Sequence, residues 1–124
     1  MTELLFQNQS YEIIGACMKI HSALGCGYKE AIYQDALEVE LSNRNISFIR
    51  EKKFEVVYEG VILKHYFVAD FVVYKEIIVE LKSSREIINP FIAQTINYLK
   101  ASGLKLGLVI NFGNSSLQTR RIVF

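Results

Sequence analysis

The spacing of apolar residues changes once along this chain, and this change constrains the fold more than any other sequence feature. Up to about residue 44, apolar side chains recur every three or four positions, as on one face of an amphipathic helix. From Phe54 onward they come in short runs rich in β-branched and aromatic residues, which are typical of strands. The chain is therefore expected to begin with two helices and to continue into a sheet.

Caps and turn-forming residues divide the chain into segments. Ser10 is the predicted N-cap of the first helix, and a Gly-Cys-Gly turn at 25–27 ends that helix. Asn89 and Pro90 begin the third helix as its cap and first residue, and Gly103 ends it. The predicted order is α-α-β-β-β-α-β, with segments at 10–24, 28–44, 54–58, 61–74, 77–82, 89–102 and 106–111, and a short edge strand at 121–124.

Composition limits the classes of protein to which the chain can belong. Of its 124 residues, 51% are hydrophobic and 22% are charged, which excludes a mainly disordered chain and predicts one domain over residues 1–124. The formal net charge is only +1, so charge alone does not indicate a strongly basic nucleic-acid binder. The basic cluster of Arg50, Lys52 and Lys53 is interpreted as solvated surface charge.

The lack of a recognisable targeting signal and the pattern of cysteines favour a cytoplasmic location without membrane association. The first ten residues contain no Lys or Arg, and no apolar run approaches the roughly 18 residues of a membrane-spanning helix. Cys17 and Cys26 match neither a zinc-site spacing nor a disulfide scaffold. They are expected to be buried or half-buried free thiols in a reducing compartment.

Two acidic residues stand out because they interrupt apolar strands. Asp70 lies in the segment Val-Ala-Asp-Phe-Val, and Glu80 lies in Ile-Val-Glu-Leu-Lys, which ends with Lys82. Burial of a carboxylate is unfavourable unless the group is paired, hydrogen-bonded or bound to a metal. Glu80 and Lys82 are two positions apart and therefore project from the same face of their strand. The pattern predicts either a charged, exposed hairpin face or a small acidic site.

The register of this hairpin decides whether Asp70 lies on the same face as Glu80 and Lys82. A two-residue turn at residues 75–76 would place Asp70 opposite Leu81, on the wrong face. A three-residue loop over 74–76 pairs Val73 with Ile77 and places Asp70 opposite Glu80. Because the turn contains no Gly or Asn, the longer loop is favoured. Two carboxylates directly opposite each other on neighbouring strands repel each other, and a bound magnesium or manganese ion would relieve this repulsion.

Several other polar residues have an ordinary structural interpretation beside a functional one. An acid such as Glu30 is favoured in the first turn of a helix by the macrodipole. Gln94 and Tyr98 lie one turn apart on the third helix, as expected at the boundary of an amphipathic face. His21 is interpreted as a hydrogen-bonded core histidine rather than a metal ligand.

The order of these motifs resembles a known family. Residues 27–33 read G-x-x-E-x-x-Y, and they precede Asp70, the segment Glu80-Leu81-Lys82, the Gly-rich run at 103–108 and Asn111-Phe112-Gly113. Over residues 11–124 the chain is similar to the GxxExxY protein family, a branch of the PD-(D/E)XK nuclease superfamily. The resemblance implies a restriction-endonuclease-like α-β-β-β-α-β core, of mixed α/β (α+β) type, preceded by an extra N-terminal helix.

The resemblance also implies roles for particular residues. Asp70 and Glu80 would be metal ligands for Mg²⁺ or Mn²⁺, Glu30 would complete the metal site, and Lys82 would be the motif lysine. Gln94 and Tyr98 would correspond to a Q-x-x-x-Y element that lies beside the site and orients it or contacts substrate. The chain departs from the superfamily pattern at residue 69, where Ala stands in place of proline, a backbone-orienting position.

Two functions from different classes remain open at this stage. The first is a metal-dependent nuclease that hydrolyses phosphodiester bonds, in DNA more readily than in RNA. The second is a non-catalytic module with a nuclease fold that binds nucleic acid or a protein partner; a toxin-like or defence component acting with a larger partner is a weaker third. A homodimer is expected, because a small nuclease can present two sites to a duplex in that way.

Overall fold

A computed structural model describes residues 5–124 of the chain. Within these residues, the fold consists of three helices and five strands. Their bounds are α1 (Gln7–Leu24), α2 (Glu30–Asn43), β1 (Phe48–Tyr58), β2 (Val61–Val73), β3 (Ile77–Lys82), α3 (Asn89–Ser102), β4 (Leu106–Asn111) and β5 (Gln118–Val123).

The five strands form one mixed sheet in the order β1-β2-β3-β4-β5. All neighbouring pairs are antiparallel except β3 and β4, which are parallel and are joined through α3. A parallel pair needs a crossover connection, and the helical pattern between residues 89 and 102 supplies it. The predicted mixed α+β architecture with a restriction-endonuclease-like core is thereby confirmed.

Hydrophobic side chains cover both faces of the sheet. One core cluster joins α1 and α2 to the sheet and includes Tyr33, Leu37 and Leu41, which are fully buried along one stripe of α2. The other cluster lies on the side of α3 and includes Leu99 and Val109. Strands β3 and β4 are buried on both faces, which explains why their sequences are almost continuously apolar.

Some predicted boundaries are wrong, and the reasons are local. Helix α1 begins at Gln7, so Ser10 is not its cap; the Ser10 hydroxyl instead donates back to the Phe6 carbonyl, 2.8 Å away. Asn89 lies inside α3, and Ile88 occupies the cap position without a side-chain hydrogen bond. Strand β1 begins six residues earlier than predicted. Its first half is rich in charged residues, so the alternation of exposed and half-buried positions is not visible as an apolar pattern in the sequence.

The last strand and the second helix also differ from their predicted limits. The C-terminal edge strand spans Gln118–Val123 rather than 121–124, and it pairs along the whole of β4. Helix α2 begins at Glu30 rather than at residue 28, since residues 25–29 form a non-helical connection. The segments predicted at 77–82 and 106–111 are confirmed.

Two glycines allow close approaches that hold α3 and the loop after β3 in place. A Cβ atom on Gly107 would lie 2.5 Å from the Thr95 methyl group of α3. A Cβ atom on Gly113 would collide with the backbone of Ser84. Both positions therefore need glycine because no space exists for a side chain.

The cysteines and the helices agree in part with the sequence expectations. Cys17 and Cys26 are both free; Cys17 is buried as predicted, but Cys26 is exposed because it lies in the connection after α1. None of the helices within residues 5–124 is both long and apolar enough to cross a membrane.

Candidate active site

The β2–β3 hairpin has the register that favours a joint site. Val73 pairs with Ile77, so the connection is the three-residue loop, as predicted. Tyr74 and Lys75 both adopt positive φ values, 56° and 63°, which allow the chain to reverse without glycine. The ladder then continues only as far as the pair Phe71–Val79.

Beyond this point β2 and β3 separate, and two carboxylates occupy the opening. The Asp70 backbone N–H donates to Glu80 Oε2 at 2.7 Å. The Leu81 backbone N–H donates to Asp70 Oδ2 at 2.8 Å. Each carboxylate thus replaces a backbone carbonyl of the missing ladder, which fixes both side chains and leaves each with a second oxygen for another ligand.

The partner strand on the other side is also irregular at this position. Lys52 pairs with Ala69 and Arg50 with Phe71, but the intervening Glu51 adopts a φ of 56°. As a consequence Ala69 belongs to the core cluster beside α3, whereas Phe71 belongs to the cluster beside α1 and α2. Asp70 therefore lies where the backbone is freed from regular pairing on both sides.

Burial and mutual repulsion shape the acidity of the two carboxyl groups. Only 3% of Glu80 is exposed, and burial raises its pKa, with the neighbouring Asp70 carboxylate raising the pKa further. Burial likewise raises the pKa of Asp70, while its hydrogen bond from Leu81 and the Lys82 charge oppose that change. The pair holds more negative charge than this environment favours, which is the condition that a bound cation would relieve.

Lys82 is held at the edge of the same opening by α3. Its Nζ donates to Gln94 Oε1 at 3.0 Å and lies 4.7 Å from the centre of the Phe91 ring. The structure therefore brings Gln94 to the predicted lysine, one helical turn from Tyr98. An amide oxygen and a ring face together fix the position of the ammonium group.

Tyr98 lies near the carboxylates but is engaged in aromatic packing. Its ring stacks on Phe67 at a centroid distance of 4.1 Å, and Phe67 stacks in turn on Phe54 at 5.2 Å. Burial raises the pKa of the Tyr98 hydroxyl, and the charges of Glu80 and Asp70 raise it further. Tyr98 therefore links the hairpin of β1 and β2 to the site through α3.

Glu30 stands at the start of α2, is exposed, and acts on the pair through its charge. Its negative charge raises the pKa of both Asp70 and Glu80. The connection before Glu30 is anchored by Tyr33, whose hydroxyl donates to the Gly25 carbonyl at 2.7 Å. The tyrosine of the G-x-x-E-x-x-Y pattern is thus a buried structural residue that positions the glutamate.

Two residues that sequence reasoning did not single out for the site support it. Asn111 is fully buried; its amide group accepts from the Ser84 N–H and donates to the Ser84 carbonyl, both at 2.9 Å. It thereby fixes the loop that follows Lys82. The Gln34 side chain lowers the pKa of Asp70, and it accepts a long 3.4 Å hydrogen bond from Arg50. Asn111 could have been identified from the sequence, because it is a polar residue at the end of the apolar strand β4.

The remaining polar residues from the sequence analysis have structural contacts. His21 Nε2 lies 2.9 Å from the Asn114 carbonyl oxygen, which confirms a hydrogen-bonded histidine. Arg50 is partly buried and pairs with Asp35 of α2 at 2.7 Å, so the interpretation of the basic cluster as solvated charge is wrong for this residue. Lys53 is exposed and lies 4.3 Å above the Tyr66 ring.

The donor set at the opening fits a hard divalent cation. Within residues 5–124, no three His, Cys, Asp or Glu side chains are grouped as a complete metal cage. Magnesium is commonly bound through one or two carboxylates with the remaining positions filled by water and substrate phosphate. The two oriented carboxylates of Asp70 and Glu80 meet that requirement.

Comparison with solved structures finds proteins that are similar to this chain. The protein SSO0001 superposes with a TM-score of 0.61 at 22% sequence identity, over 95% of this chain and 59% of the other. The chain thus spans about three-fifths of the length of that protein. An alkaline exonuclease (LHK-Exo) from Laribacter hongkongensis gives a TM-score of 0.47 at 11% identity, over 99% of this chain and 72% of the other.

The sequence itself identifies the family. Comparison with curated proteins finds no match. A family model described as the PD-(D/E)XK nuclease superfamily matches residues 7–122, which include both carboxylates of the hairpin and Lys82. The chain therefore belongs to the PD-(D/E)XK nuclease superfamily.

Proposed function

We propose that this chain is a metal-dependent nuclease of the GxxExxY branch that hydrolyses phosphodiester bonds, in DNA more readily than in RNA. The observation that carries the proposal is the opening between β2 and β3. There Asp70 and Glu80 are fixed by backbone N–H groups, and Lys82 is fixed by Gln94. Membership of a nuclease superfamily agrees with this chemistry.

The proposed metal site uses the carboxylates of Asp70 and Glu80, with Mg²⁺ or Mn²⁺ as the ion. Bound there, a divalent cation would neutralise charge on the scissile phosphate and lower the pKa of a coordinated water. The backbone hydrogen bonds hold both carboxylates in place before substrate arrives, so little reorganisation is needed. Glu30, which is exposed, would act through a water molecule or toward a second ion.

The other proposed roles follow from position. Lys82 would orient the attacking water and stabilise negative charge that develops on the phosphate. Gln94 positions the Lys82 ammonium through the 3.0 Å hydrogen bond. Tyr98 would either keep α3 in register with the hairpin or contact the substrate strand, and its stacking on Phe67 favours the first role.

Isothermal titration calorimetry with Mn²⁺ tests the proposal directly. Wild type is expected to bind the ion saturably and to cleave DNA in the same buffer, whereas Asp70→Asn is expected to lose both properties. Glu59→Gln is the matched control, because it removes a carboxylate at an exposed position in the turn between β1 and β2. Metal-independent binding of DNA without cleavage by wild type would instead support the non-catalytic binding module.

We also propose that two copies of the chain act together on a duplex. A single domain of this length presents one candidate site, and cutting both strands at once needs two. The basis for this proposal is the size of the domain together with the long outer edge of β1, which within residues 5–124 pairs with β2 alone.

A further inference from the structure

We propose that two copies of this chain pair through the outer edge of β1, antiparallel and centred near Phe54, so that their sheets become continuous. This inference names the contact surface for the pairing of copies proposed above and does not depend on catalysis. Its physical basis is an edge strand that is long, partly apolar and self-complementary in charge.

The first observation is the length and exposure of this edge. Strand β1 has 11 residues and, within the described residues, pairs with β2 alone. Such an edge presents a row of backbone N–H and C=O groups that can template a further strand. It also exposes large apolar side chains: Ile49 is 49% exposed, Val57 62% and Tyr58 66%.

The second observation is the order of charges along the strand. Lys53 and Glu55 are both exposed and lie two positions apart, on the same face. An antiparallel pair centred on Phe54 places Lys53 of each copy opposite Glu55 of the second copy, which gives two symmetric attractive pairs. Centring the pair on Lys53 or on Glu55 would instead place like charges directly opposite, which destabilises a sheet.

The neighbouring positions in this register are compatible with pairing. Lys52 of one copy faces Val56 of the second, so no like charges oppose each other beside the central pairs. The regular part of this edge begins after Glu51, whose φ is 56°, so the proposed pairing covers residues 52–56 of each copy. The isologous arrangement closes on itself after two copies, as a two-fold interface must.

A charge-swap experiment tests the inference. The mass of the protein in solution is measured by light scattering over a range of concentrations for wild type, Lys53→Glu, Glu55→Lys and the double variant. Wild type is expected to reach the mass of two chains. Each single variant is expected to weaken the dimer about tenfold, because both symmetric pairs become repulsive, and the double variant is expected to restore it.

Lys64→Glu provides the matched control, since it makes the same charge change at an exposed position of β2 instead of the β1 edge. Circular dichroism verifies that every variant is folded. A monomeric wild type at all concentrations overturns the inference. So does a dimer that none of the single variants weakens, or a double variant that stays as weak as the single ones. None of these outcomes bears on metal binding or cleavage, which test the proposed function separately.

Discussion

At the scale of single residues, the candidate site depends on an unfavourable arrangement of charge. Two carboxyl groups share one opening, one of them almost fully buried, and burial raises the pKa of both. Lys82 lies at the same opening and is held by Gln94 rather than by an acid. The predictions at this scale therefore concern charge.

Lys82→Ala is expected to abolish cleavage while leaving Mn²⁺ binding within a few-fold of wild type. The ammonium is assigned to substrate and transition-state charge, a role that typically accounts for a rate factor of about 100 to 1,000. Calorimetry and a cleavage assay on the same samples distinguish the two properties. Full activity in Lys82→Ala would remove the lysine from the mechanism.

Glu80→Gln is expected to stabilise the metal-free protein at pH 8. The pKa of Glu80 rises on folding from 4.5 to about 8, so the folded state favours the protonated acid. The protonated Glu80 contributes its full share of the folding stability below pH 4.5, and this share is lost as the pH rises through about 8. A glutamine stays neutral at every pH and therefore avoids that loss. The expected gain in melting temperature at pH 8 is about 4 °C, from roughly 1 kcal/mol.

The same substitution should have little effect at pH 4, where Glu80 is already neutral. Glu86→Gln, at an exposed position in the loop after β3, is the control and should change the melting temperature little at either pH. A melting temperature for Glu80→Gln below that of wild type at pH 8 would contradict the account of buried, repelling carboxylates.

At the scale of elements, close backbone and helix contacts decide how the site is held. Helix α3 rests on β4 at Gly107, and the loop after β3 rests on the segment after β4 at Gly113. Asn111 joins these two segments through hydrogen bonds to Ser84. These close contacts hold α3 against β4 and the loop against the end of the sheet. As a result, Lys82 of β3 lies within hydrogen-bond distance of Gln94 of α3.

Gly107→Ala is expected to destabilise the fold by about 1–3 kcal/mol, since the added methyl group would overlap the Thr95 side chain. Gly15→Ala is the matched control: its nearest contact is 3.6 Å away, at the flexible end of Arg44, and a helical alanine is favoured over glycine. Chemical denaturation measures both variants. An unchanged stability in Gly107→Ala would show that α3 can move away from β4 without loss.

At the scale of the whole molecule, a cation would change the dependence of stability on pH. Binding to the folded state alone raises its stability by mass action, and only deprotonated carboxylates bind well. Mn²⁺ or Mg²⁺ is therefore expected to raise the melting temperature of wild type by several degrees at pH 8 and scarcely at pH 4. Thermal melts with and without the ion measure this, and Asp70→Asn should show no shift.

Much of the architecture follows from the sequence by itself. Periodicity alone separates the helical first third from the strands that follow, and continuous apolar runs identify β3 and β4 as strands buried on both faces. The absence of glycine in the turn after β2 correctly predicts the three-residue loop, and this loop sets the register that brings Asp70 to Glu80. These features are local, so a single stretch of sequence contains the information for them.

Only the tertiary structure decides the remaining features, because they depend on contacts between distant segments. The pattern of Asp70 and Glu80 could not show that the strands separate there, since the carboxylates replace ladder hydrogen bonds only after both strands are placed. The extension of β1 to Phe48 depends on its pairing with Val73 of β2, and the partial burial of Arg50 depends on Asp35 of α2. The sequence supplies the chemical groups of the site, and packing determines their distances and their acidity.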